Sequence, residues 1–269
     1  VYVDGDQWVF AFIVPRRRVR GRPTDLFGRL LPAVARAYRC LGLPVAPRGM
    51  NDLWCGDRKI GGTGMATIGQ ALVLTGSFLL RFPADRFAAA VRCPSPEFRR
   101  FLGDALAESV VAWEDLAPRP AEGRVKRALR GAVARELGWV VAPDRSSARE
   151  TEAIAAAEAE LQDPDWLWEP LGRRAVAEGI KLKGDAFLTE RSVPGLGRVT
   201  VLTGDGRIRR LALEGVVPEE AATCVVRPPE AEALAACLPR PWARAVADVA
   251  VCSESEGARR PVGISNQQG

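Results

Sequence analysis

The chain has 269 residues, 47% of them hydrophobic and 26% charged, enough to bury one large core or two smaller ones. No apolar run reaches the roughly 18–20 residues that cross a bilayer; the longest, residues 71–80, is interrupted by Thr75 and Gly76. Histidine is absent, which excludes Ser-His-Asp triads, Cys-His dyads and imidazole metal ligands, and 38 basic against 33 acidic residues leave a net charge of +5.

In chain order, residues 1–14 read as a hairpin through Asp4-Gly5-Asp6. Its second strand, 8–14, is apolar enough to be buried on both faces. The Arg16, Arg17, Arg18, Arg20 and Arg22 cluster that follows has no interleaved aromatics, so it reads as a solvated loop, and no nucleic-acid or membrane partner is expected. Thr24 is placed to cap a helix over 25–41, where apolar residues recur at helical spacing and Pro32 demands a kink. Residues 47–64 read as a strand, a Gly56-Asp57 turn and a second strand that breaks into a glycine-rich loop, with another strand over 71–81.

Residues 82–137 are mostly helical, with a capped turn near 109–114, and an Ala/Glu-rich helix covers 148–161. From Lys181 onward the pattern is strand-like: 181–189, 197–203 and 207–214, the last two joined by Asp205-Gly206. This predicts a small sheet with one face covered, packed by a helix over 230–238. The expected organisation is a catalytic-type domain over 1–170, an accessory domain over 171–250 and a polar, disordered tail over 251–269. Six cysteines, at 40, 55, 93, 224, 237 and 252, form no CxxC pair, so free thiols and a cytoplasmic location are expected.

The stretch with chemical promise is Asp57-Arg58-Lys59-Ile60-Gly61-Gly62-Thr63-Gly64. Three glycines in four positions let a backbone approach a ligand and turn amides to an anion, and Lys59 adds a mobile positive charge. The same stretch also fits a plain turn. It is not a Walker A loop, because the lysine precedes the glycines, and it is not GxGxxG before a crossover helix. Only four lysines, at 59, 126, 181 and 183, stand against 34 arginines, so a lysine here asks for a reason.

Arg48-Gly-Met-Asn-Asp-Leu53, Asp57-Arg-Lys-Ile-Gly-Gly-Thr63 and Thr75-Gly-Ser-Phe-Leu-Leu80 resemble the NDL strand, the GRK(I/V)SG stretch and the HG(S/T)LL strand of the lipoate–protein ligase A family, within the biotin and lipoate ligase superfamily. Trp113-Glu114, Asp165-Trp166 and 197–215 resemble later features of that family in order, so the likeness covers nearly the whole chain. It implies an α+β fold: a mixed or antiparallel sheet packed with helices, like class II synthetases, plus a small α+β accessory domain.

The resemblance implies a ligase that joins lipoate to ATP as lipoyl-AMP and passes the acyl group to a lysine ε-amine. The acceptor is a lipoyl carrier domain of a 2-oxoacid dehydrogenase complex or the glycine cleavage H protein. Lys59 is the implied catalytic residue. Val1, Lys59, Gly61, Gly62 and Thr63 are the implied nucleotide contacts, with Asn51 and Asp52 assisting nucleotide or Mg²⁺; a purely structural Asn-Asp turn is the alternative for that pair. Thr75 departs from the family histidine. The family's arginine- and glycine-rich nucleotide loop is expected upstream of Val1, so residues 1–269 alone are expected to adenylate weakly or not at all.

Rival readings are an ATP-independent octanoyl or lipoyl transferase working through a cysteine, for which Cys55 lies nearest Lys59 in sequence, a catalytically impaired carrier- or adenylate-binding module, and biotin ligation.

Overall fold

In the computed structural model, residues 3–19, 21–163, 179–215 and 238–258 are described. Val1, Asp165, Trp166 and nearly all of the helix expected over 230–238 lie outside them. Two antiparallel sheets organise the chain. The first has the order β1 (Gln7–Pro15), β5 (Ala71–Leu79), β4 (Arg58–Ile68), β3 (Asp52–Cys55), β2 (Val45–Arg48). Beneath one face lies α1 (Asp25–Cys40), whose Leu26, Leu30, Leu31, Val34 and Tyr38 meet Leu72, Leu74 and Phe78 of β5; α4 (Glu122–Leu137) packs beside it. Tyr38 stacks on Trp113 with ring centroids 5.3 Å apart.

Local signals account for several element ends. Ser95 caps α3 (Pro96–Ser109) by accepting from Phe98 N–H at 3.0 Å, with proline in the first turn. Gly138 closes α4 in the left-handed region at φ 68°. Thr24 makes no side-chain cap: α1 instead enters through a turn in which Asp25 accepts from Arg22 N–H, and it runs on through Pro32.

Other differences from expectation have long-range causes. β1 has no hairpin partner among the described residues. It pairs with β5 along its whole length and is an edge of the sheet among the described residues; Val9 and Ile13, 62% and 69% exposed, lie on the face that no described element covers, while Val14 on the other face is buried. An apolar run identifies a strand but not how many of its faces are covered. The glycine-rich stretch is no loop either: β4 continues through Gly61, Gly62 and Gly64 to Ile68, because pairing with β3 and then β5 satisfies its backbone.

The second sheet has the order β6 (Gly179–Lys183), β7 (Ala186–Val193), β8 (Gly197–Gly204), β9 (Arg207–Gly215). The single strand expected over 181–189 is two, broken by a turn in which Gly184 takes φ 47°. Both faces of this sheet are covered, not one. Val199, Val201 and Leu211 pack on Trp242 and Val246 of α6 (Arg240–Ala258), while Leu182, Leu188 and Leu202 pack on Phe98, Phe101 and Leu102 of α3, beside α2 (Ala84–Ala90). α6 reaches into the segment expected to be a tail. The Ala/Glu-rich helix α5 (Ala148–Gln162) buries no residue and begins with a reciprocal Ser147–Glu150 capping box. No helix of the described residues is long and apolar enough to cross a membrane.

Candidate active site

The outer face of the first sheet, opposite α1, carries the candidate site. Across β4 and β5, Gly64 faces Thr75 and Ala66 faces Val73; across β5 and β1, Thr75 faces Ala11 and Val73 faces Ile13. The result is a strip of small and apolar groups with no element over it among the described residues. Lys59 joins this face through a β-bulge. Leu53 pairs with Gly61 but Trp54 pairs with Lys59, leaving Ile60 as the extra residue. Ile60 is fully buried in the core, so Lys59 turns the other way.

The Lys59 ammonium lies 2.7 Å from Asp52 Oδ1 and passes over Gly62, where a Cβ would stand 3.2 Å from both its Cε and Nζ. Lys59 and Asp52 side chains are 26% and 17% exposed. A pair that wet contributes roughly 0–1 kcal/mol to stability, so its consequence is aim rather than anchorage. Of the other implied residues, Asn51 and Thr63 bond each other: Asn51 Nδ2 donates to Thr63 O at 2.9 Å, and Thr63 Oγ1 donates to Asn51 O at 3.0 Å. Thr63 N–H is also given to Asn51 O, at 2.8 Å. Lys59, Asp52 and Gly62 are therefore brought together on the open face, with Asn51 just before β3 and Thr63 next to Gly62 within β4.

Cys55 belongs to the opposite side. It pairs with the buried Val45 and packs on the core. Cys93 is half-buried between α2 and α3, where burial pushes its thiol up despite Arg99 nearby, away from the thiolate a nucleophile needs. Cys40 lies at the exposed end of α1.

Sequence reasoning passed over the neighbours of Lys59 on its other side. Trp54, its cross-strand partner, lies under Arg48, whose guanidinium is 4.4 Å from the ring, and beside Lys183, whose ammonium is 5.4 Å away. Lys183 also donates to Asp57 O at 3.1 Å. These residues line a cavity of about 650 Å³ between the two sheets, together with Asp185 and Arg210. The scarcity of lysine was the available signal for Lys183; its contact with Trp54 spans too much sequence to be legible.

Residues 1–122 match the family model of the lipoyl protein ligase A/B catalytic domain, a span that includes Lys59 and the whole first sheet. Over these residues the chain is similar to that family. The part of the chain that holds Lys59 is thus the part that resembles a ligase catalytic domain.

The fold agrees with solved relatives. A bi-partite lipoate protein ligase of Thermoplasma acidophilum, solved with its E2 lipoyl domain, is 22% identical at a TM-score of 0.57, over 65% of this chain and 68% of that one. A putative lipoate protein ligase of the same organism with bound lipoic acid is 19% identical at 0.50, over 62% and 66%. A lipoate-protein ligase A bound with ATP is 21% identical at 0.50, over 62% and 66%. The chain thus spans about two thirds of the length of each of these structures. No curated protein matches.

Proposed function

We propose that this ligase joins lipoate to AMP at the Lys59 face and transfers the acyl group to a lysine of a lipoyl carrier domain. In the first half-reaction a lipoate carboxylate oxygen attacks the α-phosphorus of ATP and pyrophosphate leaves. In the second, the carrier ε-amine attacks the acyl carbon, a proton is lost from the new amide nitrogen and AMP leaves. Both steps build negative charge on oxygens beside the α-phosphate, and an ammonium held at that place stabilises it. The observation that carries the reading is Lys59 Nζ poised over Gly62 on an open face, held by a single carboxylate.

Other residues fit the same task. Gly62 and Gly64 keep the strip beside the ammonium free of side chains, and Ala66, Val73 and Ile13 extend it with apolar surface suited to an acyl chain. Mg²⁺ on a nucleotide takes most ligands from phosphate and water plus one or two protein carboxylates, and Asp52 is the carboxylate that fits. A carrier partner is supported by the Thermoplasma ligase solved with its E2 lipoyl domain; the H protein offers the same lysine chemistry. The cysteine route finds less support, since Cys55 sits on the core side.

The test is to incubate the full-length protein with lipoate, ATP, Mg²⁺ and an apo lipoyl domain and weigh the carrier. A mass gain of one lipoyl group that needs ATP and disappears with Lys59→Ala is expected. A gain without ATP from an acyl-charged acyl-carrier protein, supplied in place of lipoate and lost with Cys55→Ser, points to the transferase instead, and no gain with either donor points to a binding module.

A further inference from the structure

We propose that Asn51 and Thr63 are positioning residues that lock the register of β3 against β4 and thereby keep the Lys59 ammonium on the open face. The inference deepens the ligase reading and rests on it. A strand's side chains alternate between faces, so a slip of one residue carries every side chain to the other side. Burial of Leu53 and Ile60 and the Val111 N–H bond to Lys59 O, at 2.9 Å, resist that slip from the core side, but Gly61, Gly62 and Gly64 have no side chains to sense a face, β3 is four residues long, and the bulge at Ile60 already carries an extra residue. Moved by one, Lys59 would point into the core and Ile60 into solvent.

Three hydrogen bonds between two residues oppose it. Thr63 N–H and Oγ1 both donate to Asn51 O, and the Asn51 amide donates back to Thr63 O, closing the pair at 2.8, 3.0 and 2.9 Å. Thr63 is 6% exposed, and its Cγ2 would stand 2.9 Å from a Cβ on Gly76, so its rotamer is set by the neighbouring strand as well. The lock lies just beyond the Asp52–Gly62 pair, directly after the bulge. Its donors are spent inside the sheet, which gives both residues a role other than holding a phosphate.

Four lysines make the idea measurable, since amine-reactive labelling resolved by mass spectrometry reads Lys59 against the exposed Lys126 in one sample. Thr63→Val keeps the shape and removes the hydroxyl, Thr63→Ser restores it, and Asn51→Ala removes the return bond. With Val or Ala, the Lys59-to-Lys126 labelling ratio is expected to shift roughly two- to tenfold, the range a lost hydrogen bond implies. The kcat for carrier acylation should fall about ten- to a hundredfold with KM for ATP nearly unchanged, as for a misplaced catalytic group. Thr63→Ser should return both.

Unchanged labelling and kcat in Thr63→Val, or Thr63→Ser behaving like Thr63→Val, overturns the lock. Should Asn51→Ala not fold, the Thr63 pair decides alone. If the unaltered protein acylates no carrier, the ligase reading fails, while the labelling ratio still judges the lock.

Discussion

A methyl group added at Gly62 and one added at Gly76 meet different neighbours. At Gly62 the new Cβ stands 3.2 Å from Lys59 Cε and Nζ and 3.5 Å from Asp52 Oδ1, the far end of a side chain that swings aside. Gly62→Ala should therefore leave the melting temperature at or slightly above its original value, because alanine gives up less chain freedom than glycine on folding. Carrier acylation should fall more than about tenfold as the ammonium is displaced. At Gly76 the Cβ meets Phe10 Cζ at 2.7 Å, Thr63 Cγ2 at 2.9 Å and Gly62 O at 3.2 Å. Gly76→Ala should cost about 1–3 kcal/mol of stability in a denaturant titration. Lys59→Ala should lower turnover about a hundred- to a thousandfold, as expected for loss of one group that meets developing charge, with the melting temperature little changed because its ion pair is partly wet.

Among the elements, the β8–β9 hairpin shows a local rule acting alone. Asp205 and Gly206 take φ 53° and 68°, the two positive angles of a turn whose twist matches the flanking strands. No atom lies within 4 Å of a Cβ built at Gly206, so its cost is conformational. Gly206→Ala should destabilise by about 1–2 kcal/mol and Asp205→Gly by much less, checked by chemical denaturation. This turn was readable directly, since Asp-Gly between two alternating strands has few other solutions. The Lys59 strand was readable as chemistry but not as geometry. Lysine before glycines announced a place where backbone and charge meet, yet the bulge depends on which β3 residue faces Gly61, and that pairing follows from Leu53 and Ile60 sharing the core.

For the whole molecule, the second sheet is tied to the first unit through α3. Leu188 and Leu202 share a core with Phe98 and Leu102, Ser95 donates to the buried Glu190, and Arg210 reaches Asp104 and Glu108. On the core side of the first sheet, burial pushes the Tyr38 phenol far above its ordinary 10.0, with the nearby Leu79 backbone pulling partly back. An unfolded chain releases this proton from about pH 10 upward while the native protein retains it. The native state then binds more protons, so the Tyr38 contribution is complete below about pH 10 and is lost as pH climbs beyond it. Urea midpoints on either side of about pH 10 should show that decline, and Tyr38→Phe should reduce it. By itself the sequence located most of the helices and strands, the Asp205-Gly206 turn, the resemblance to lipoyl ligases and the lysine most worth testing, because these are written in short-range periodicity and in residue type. Only the tertiary structure decided that β1 is an edge, that both faces of the second sheet are covered, and that Cys55 and Lys59 look in opposite directions. Those outcomes depend on pairing and packing between residues far apart in the chain, where one residue of register reverses a side chain's face.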